Sequence, residues 1–173
     1  MRLFSIILCF CFIHPFAQAP GDINMYLKSA AIPQSVKGIY SGNLKATDNT
    51  VTLRILDSLQ TNNNFTRPFY LLVVSKLLLH ADGALSEATG LACKKFLETK
   101  PQLLIAFLYV NDTIVDKNFK LLWANAIRDE FKIDCEHKVK ECIMSSKKIA
   151  QPKCNETYKP KIDNFYSLIL KGL

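Results

Sequence analysis

The chain has 173 residues, is 49% hydrophobic and 21% charged, and carries a formal net charge of +7. A disordered chain would be poorer in apolar residues and richer in charge, and collagen-like or low-complexity chains would exceed 6 glycines and 7 prolines. The length allows one domain, or at most two very small ones. Composition therefore indicates a folded globular protein and does not point to an activity.

Residues 1–19 have the layout of a secretory signal peptide. Arg2 precedes an apolar run over residues 3–13, and small residues follow it. This run is too short to span a bilayer, which takes about 20 residues, and we expect no membrane-spanning segment later in the chain. Cleavage after Ala17 or Ala19 would leave about 154 residues, secreted or periplasmic.

Residues 20–66 give the weaker helix signals. Short helices are predicted at residues 22–31 and 33–40, on either side of a proline. Residues 50–56 alternate apolar and polar side chains as a strand does, but their apolar positions also share one helical face. Because no other clear strand is available to pair with this segment, we interpret it as a helix.

Helix signals are stronger from residue 67 onward. Pro68 suits a first helical turn, where its missing N–H costs no hydrogen bond. Residues 69–80 are apolar nearly all round, which predicts a central buried helix. The amphipathic pattern is clearest at residues 117–131, where Phe119 and Trp123 share the apolar face. Further helices are predicted at residues 86–99, 102–110, 134–149 and 162–170.

Short connections between these segments favour antiparallel packing of sequence neighbours. We expect an all-α fold, a compact array or irregular bundle of about six to eight short antiparallel helices, supported by up to two disulfides. The predicted organisation is a signal peptide followed by a single helical domain over residues 20–173. Residues 67–150 would form its helical core, and residues 151–173 a disulfide-tethered loop and last helix.

Signal cleavage would leave four of the six cysteines in an oxidising compartment, which predicts up to two disulfides. On one continuous helix the Cα atoms of Cys135 and Cys142 would lie about 10.5 Å apart, beyond the bridging limit of about 7 Å. We therefore exclude that pairing. We expect Cys142–Cys154 with Cys93–Cys135, or alternatively Cys135–Cys154 with Cys93–Cys142. The spacing of Cys135, His137 and Cys142 matches no usual zinc pattern, so we expect no metal site.

One polar cluster offers candidate catalytic residues. His80, Asp82, Ser86 and Glu87 lie around one predicted helix-to-helix corner, and a histidine beside carboxylates can exchange protons near neutral pH. Turn chemistry explains the same residues, because Asp82 and a glycine would end one helix while Ser86 and Glu87 begin the next. We favour this second interpretation. The sequence contains no P-loop, dinucleotide-binding, zinc-protease, esterase or EF-hand motif.

Lysines are concentrated late in the chain, where residues 132–161 hold eight lysines and four carboxylates. A basic patch here could attract an anionic surface or an acidic protein, although a solvated helix face is the favoured interpretation. We do not expect nucleic-acid binding, because arginines are few and aromatic residues do not alternate with the lysines. The candidate patch consists of Lys138, Lys140, Lys147, Lys148 and Lys153.

The sequence thus favours an exported, non-enzymatic helical protein that binds an envelope or extracellular partner, which the sequence does not identify. Two alternatives stay open. One is a carrier of a small apolar ligand beside Phe119 and Trp123, and the other is a hydrolase-type enzyme using His80, Asp82 and Glu87. No cofactor is expected. Sequons at Asn64, Asn111 and Asn155 would accept glycans in a eukaryotic secreted chain.

Overall fold

The computed structural model describes residues 22–109 and 115–173. Across these two ranges the chain is helical and contains no strand, which confirms the all-α class. The predicted signal peptide and the sequon at Asn111 lie outside the described residues. The α-helices within those ranges are α1 (Ile23–Lys28), α2 (Gln34–Tyr40), α3 (Thr50–Gln60), α4 (Arg67–His80), α5 (Gly83–Thr99), α6 (Pro101–Leu108), α7 (Phe119–Cys135), α8 (Val139–Ala150) and α9 (Lys159–Lys171).

The segment whose pattern also fitted a strand forms helix α3. The side chain of Asn49 accepts a hydrogen bond from the backbone N–H of Thr52 at 3.0 Å, which satisfies one of the unpaired donors at a helix start. Thr52, Ile55 and Leu59 are buried on one face. A spacing of three and four residues is the helical period, so burial of this face selects the helix over the strand.

The two central helices are α4 and α7. Helix α4 packs against α2, α3, α5 and α7, and α7 packs against α4, α5, α8 and α9. Most of α4 is buried, as its continuous apolar sequence predicted. One apolar cluster extends from Tyr26 in α1 to Ile169 in α9. No helix in the described ranges combines the length and apolar content needed to cross a bilayer.

The expected cysteine pairing is wrong. Helix α7 ends at Cys135, Glu136 adopts a φ of 41°, and a short 3-10 turn over Glu136–Lys138 leads into α8. This break brings the Cα atoms of Cys135 and Cys142 to 6.5 Å, and the two residues form a disulfide. The distance that excluded this pair assumed one continuous helix over residues 134–149, and Asp134 instead lies in the last turn of α7.

The other two cysteines, Cys93 and Cys154, are unpaired and buried. The predicted bridges from Cys93 and Cys154 to Cys135 or Cys142 are therefore contradicted. The last helix is consequently not tethered by a disulfide at Cys154. It is held by packing, since α9 contacts α6, α7 and α8 and buries Ile162, Phe165 and Ile169.

Candidate functional site

A cleft of about 690 Å³ opens between the end of α2, the loop after it and the C-terminal half of α4. Its size falls within the range of about 300–1,000 Å³ that is usual for small-molecule sites. Most of its lining surface is apolar. The apolar side chains include Ile39, Leu44, Ala46, Leu77, Leu79 and Leu85.

The loop after α2 turns back sharply to form one wall of this cleft. Gly42 has a φ of 75°, in the left-handed region that favours glycine. The carbonyl oxygen of Gly38 accepts hydrogen bonds from the N–H groups of Asn43 at 2.9 Å and Leu44 at 3.1 Å. A Cβ added at Gly38 would lie 3.2 Å from that of Leu44. The two glycines therefore allow Leu44 to fold against α2 and face the cleft.

Of the described residues, those that line the cleft include the basic side chains of Lys45, Lys76 and His80 and no carboxylate. Lys76 lies on one wall, where its Nζ donates to the carbonyl oxygen of Tyr40 at 2.8 Å and stands 3.9 Å from the centre of that ring. Burial raises the pKa of the Tyr40 hydroxyl. Within the described residues no carboxylate lies in ion-pair distance of Lys76.

The four candidate catalytic residues are divided among different cavities. His80 faces the cleft, and Asp82 lines an adjoining recess of about 400 Å³ that it shares with Asp48. Ser86 and Glu87 line a groove between α5 and α7. Among the described residues, no hydrogen bond between side chains and no ion pair joins any two of the four. The structure thus does not assemble them into one constellation.

Turn chemistry at this corner also differs from the prediction. Helix α4 ends at His80, and α5 begins at Gly83, whose φ is 47°. Asp82 occupies the N-cap position, but its side chain makes no capping hydrogen bond. Its carbonyl oxygen accepts from the N–H of Ser86 at 3.2 Å. The sequence predicted that the helix would begin at Ser86, but α5 begins at Gly83, so Ser86 lies within its first turn.

Phe119 and Trp123 belong to the core. They are 5% and 0% exposed, and the Trp123 ring packs 6.4 Å from that of Phe96, centre to centre. The α2–α4 cleft lies elsewhere and is lined by neither of them. An apolar cavity is therefore present, but Phe119 and Trp123 do not line it. The residue that could have indicated this cavity in the sequence is Leu79, which extends the apolar run of α4. In the structure it remains 49% exposed.

The predicted basic patch is smaller than its lysine count suggests. Lys147 pairs with Asp163 at 2.9 Å, and Lys153 donates to the carbonyl oxygen of Glu98. Lys138, Lys140 and Lys148 are exposed. Two of the five lysines thus have partners inside the fold.

No known protein family, curated protein or solved structure matches this chain. Within the described ranges, no group of three or more His, Cys, Asp or Glu side chains is placed to hold a metal ion.

Proposed function

We propose that this protein is an exported, non-enzymatic binding protein whose α2–α4 cleft takes an amphipathic ligand with an apolar body and an anionic end, such as a long-chain carboxylate. The observation that carries the proposal is the cleft itself, apolar over most of its lining and bordered by Lys45, Lys76 and His80. The layout of residues 1–19 supports export, and a disulfide between Cys135 and Cys142 fits an oxidising compartment.

The apolar wall would supply most of the binding free energy. Transfer of each methylene group from water to an apolar site is worth about 0.8 kcal/mol. Leu44 and Leu79 are 45% and 49% exposed while facing the cleft, so a bound alkyl chain would remove their surface from water. Affinity should therefore rise with alkyl chain length until the cleft is filled.

The charge pattern selects the end group. Lys76 holds its ammonium group against Tyr40 without a carboxylate partner in the described chain. A ligand carboxylate at this wall would accept a charge-assisted hydrogen bond, which is worth about 1.5–3 kcal/mol. The carboxylates of Asp48 and Asp82 line the adjoining recess and not the cleft, so the anionic end is expected on the Lys76 side.

The test is displacement of a fluorescent long-chain carboxylate probe by saturated carboxylates and by their methyl esters. Lys76→Met keeps the apolar stem and removes the charge, so it should weaken carboxylate binding about tenfold or more and leave ester binding unchanged. Lys120→Met is the matched control, because Lys120 lies 4.4 Å from the Tyr109 ring centre, in a similar setting away from the cleft.

A second variant tests the apolar wall. Leu79→Glu places a charge on a half-exposed wall position where folding should tolerate it, and it should abolish binding of both ligand types. Absence of saturable probe binding, or equal binding by the wild type and Leu79→Glu, would overturn the proposal.

A further inference from the structure

A groove of about 360 Å³ lies between α5 and α7, on a different part of the surface from the cleft. Its lining is acidic, although the chain as a whole carries +7. Glu87 from α5 and Asp129 and Glu130 from α7 face it, together with Ser86, Gly90 and Ile133. Asp129 already pairs with Lys132 at 3.0 Å, so the uncompensated negative charge of the groove comes from Glu87 and Glu130.

Glu130 is a largely buried residue whose carboxylate has no partner in the described structure and is not fully enclosed. It is 6% exposed, and no hydrogen bond or ion pair to it is present among the described residues. The nearby cation, Lys94, pairs with Asp134 and stacks over the Phe131 ring at 4.8 Å. Burial raises the pKa of Glu130, the carboxylates of Asp134 and Glu87 raise it further, and Lys94 opposes them.

Such a group is costly to bury. An ionised carboxylate out of water needs hydrogen bonds or an opposite charge to offset its lost solvation. Among the described residues Glu130 has no direct hydrogen bond or ion pair, because the nearby Lys94 pairs with the more exposed Asp134 instead. The Glu130 carboxylate, which lacks a partner, therefore lines the groove where a ligand cation could reach it.

Gly90 keeps the floor of the groove open. A glycine inside a helix costs about 1 kcal/mol relative to alanine, and Gly90 lies in the middle of α5. A Cβ built there would lie 3.4 Å from both the carbonyl oxygen of Ala126 and Oε2 of Glu130. A methyl group at position 90 would thus lie in van der Waals contact with the Glu130 carboxylate, and the glycine leaves that side of the carboxylate uncovered.

We propose that this groove binds an organic cation, an ammonium or guanidinium group, with Glu130 as its buried counter-ion and Glu87 and Asp129 at the rim. A metal ion fits less well, because no set of three or more ligating side chains in the described chain is placed around one point. Ammonium and guanidinium groups carry several N–H donors that can reach carboxylates spread along a groove. The cation can come from a free polyamine or from a lysine or arginine side chain of a partner protein.

The experiment is calorimetric titration of the full exported chain at low ionic strength, where such contacts are least screened. The probes are spermidine, blocked arginine and lysine peptides, and calcium chloride. Glu130→Gln keeps the shape of the side chain and should weaken binding of the organic cations about tenfold or more. Glu141→Gln is the control, since Glu141 is an exposed carboxylate on α8 that does not line the groove.

Glu87→Gln provides a second, exposed position that should reduce affinity without affecting the fold. Tighter binding of spermidine than of the peptides would identify a free polyamine as the source, and the reverse order would identify a partner side chain. The proposal is overturned if none of the organic cations binds, if Glu130→Gln binds them as the wild type does, or if calcium alone saturates the site.

Discussion

Ser75→Ala tests the one polar contact described between the two central helices. The indole Nε1 of Trp123 in α7 donates to Oγ of Ser75 in α4 at 2.8 Å, and both residues are 0% exposed. The Ser75 hydroxyl in turn donates to the carbonyl oxygen of Leu71 at 2.8 Å. Alanine removes the acceptor and leaves the Trp123 N–H buried without a partner.

The expected loss follows from these contacts. An unsatisfied buried donor costs about 1–3 kcal/mol, and the better helix propensity of alanine over serine returns about 0.5 kcal/mol. The carbonyl oxygen of Leu71 needs no replacement, because it can also accept the helical backbone bond. We therefore expect the free energy of unfolding to fall by about 1–2 kcal/mol, a Tm decrease of roughly 2–8 °C for a chain of this size.

The assay is urea unfolding followed by tryptophan fluorescence, which reports directly on this contact because Trp123 is the sole tryptophan of the chain. Ser167→Ala is the matched control. Ser167 makes the same bond to a carbonyl four residues earlier, at 2.9 Å to Asp163, but on an exposed face. Its effect should stay within about 0.5 kcal/mol. Equal effects of the two substitutions would refute the role assigned to the Trp123 hydrogen bond.

Two further predictions concern the disulfide and the buried carboxylate. Reduction of Cys135–Cys142 should lower the free energy of unfolding by about 2–3 kcal/mol, the chain-entropy value for so short a loop, and non-reducing peptide mapping that found Cys93 or Cys154 in a bridge would contradict the pairing. Burial raises the pKa of Glu130 above its ordinary value of 4.5. The folded state therefore binds this proton more tightly than the unfolded state does. As the pH rises from about 4.5 through the raised pKa, loss of the proton lowers the free energy of unfolding. Glu130→Gln should therefore gain stability over the wild type along that range, measured by urea unfolding at several pH values, and a difference that does not change with pH would contradict the assignment.

The two central helices were predictable because their apolar patterns are strong and match the burial that the fold gives them. The apolar run of α4 can be accommodated only by burial on several sides, and α7 repeats apolar residues at the helical period. The boundaries were less predictable, since Gly83 was expected to end a helix and instead begins α5. Glycine permits both roles, and only the packing of the neighbouring helices decides between them.

The disulfide shows a different kind of failure. The exclusion of Cys135–Cys142 was correct for a continuous helix, and no glycine or proline separates the two cysteines to suggest a break. The chain nevertheless breaks at Glu136, a non-glycine residue with a φ of 41°. Such a sparsely populated conformation costs on the order of 1–3 kcal/mol and persists where the surrounding structure enforces it. A distance argument over a short segment therefore depends entirely on whether the backbone is regular there.

Charge counted along the sequence was a poor guide to the local electrostatic field. The late lysines suggested an anionic partner, but Lys147 is neutralised by Asp163. The acidic groove, by contrast, contains Glu87 and Glu130, which lie on different helices about forty positions apart in the chain. A count of charges over a short segment therefore never includes both of them. The single local hint is Gly90, a mid-helix glycine with no turn to explain it. A Cβ at Gly90 would contact the carbonyl oxygen of Ala126 and the carboxylate of Glu130 at 3.4 Å. The glycine therefore marks the place where α7 packs against α5, and this packing brings the two carboxylates to the same groove.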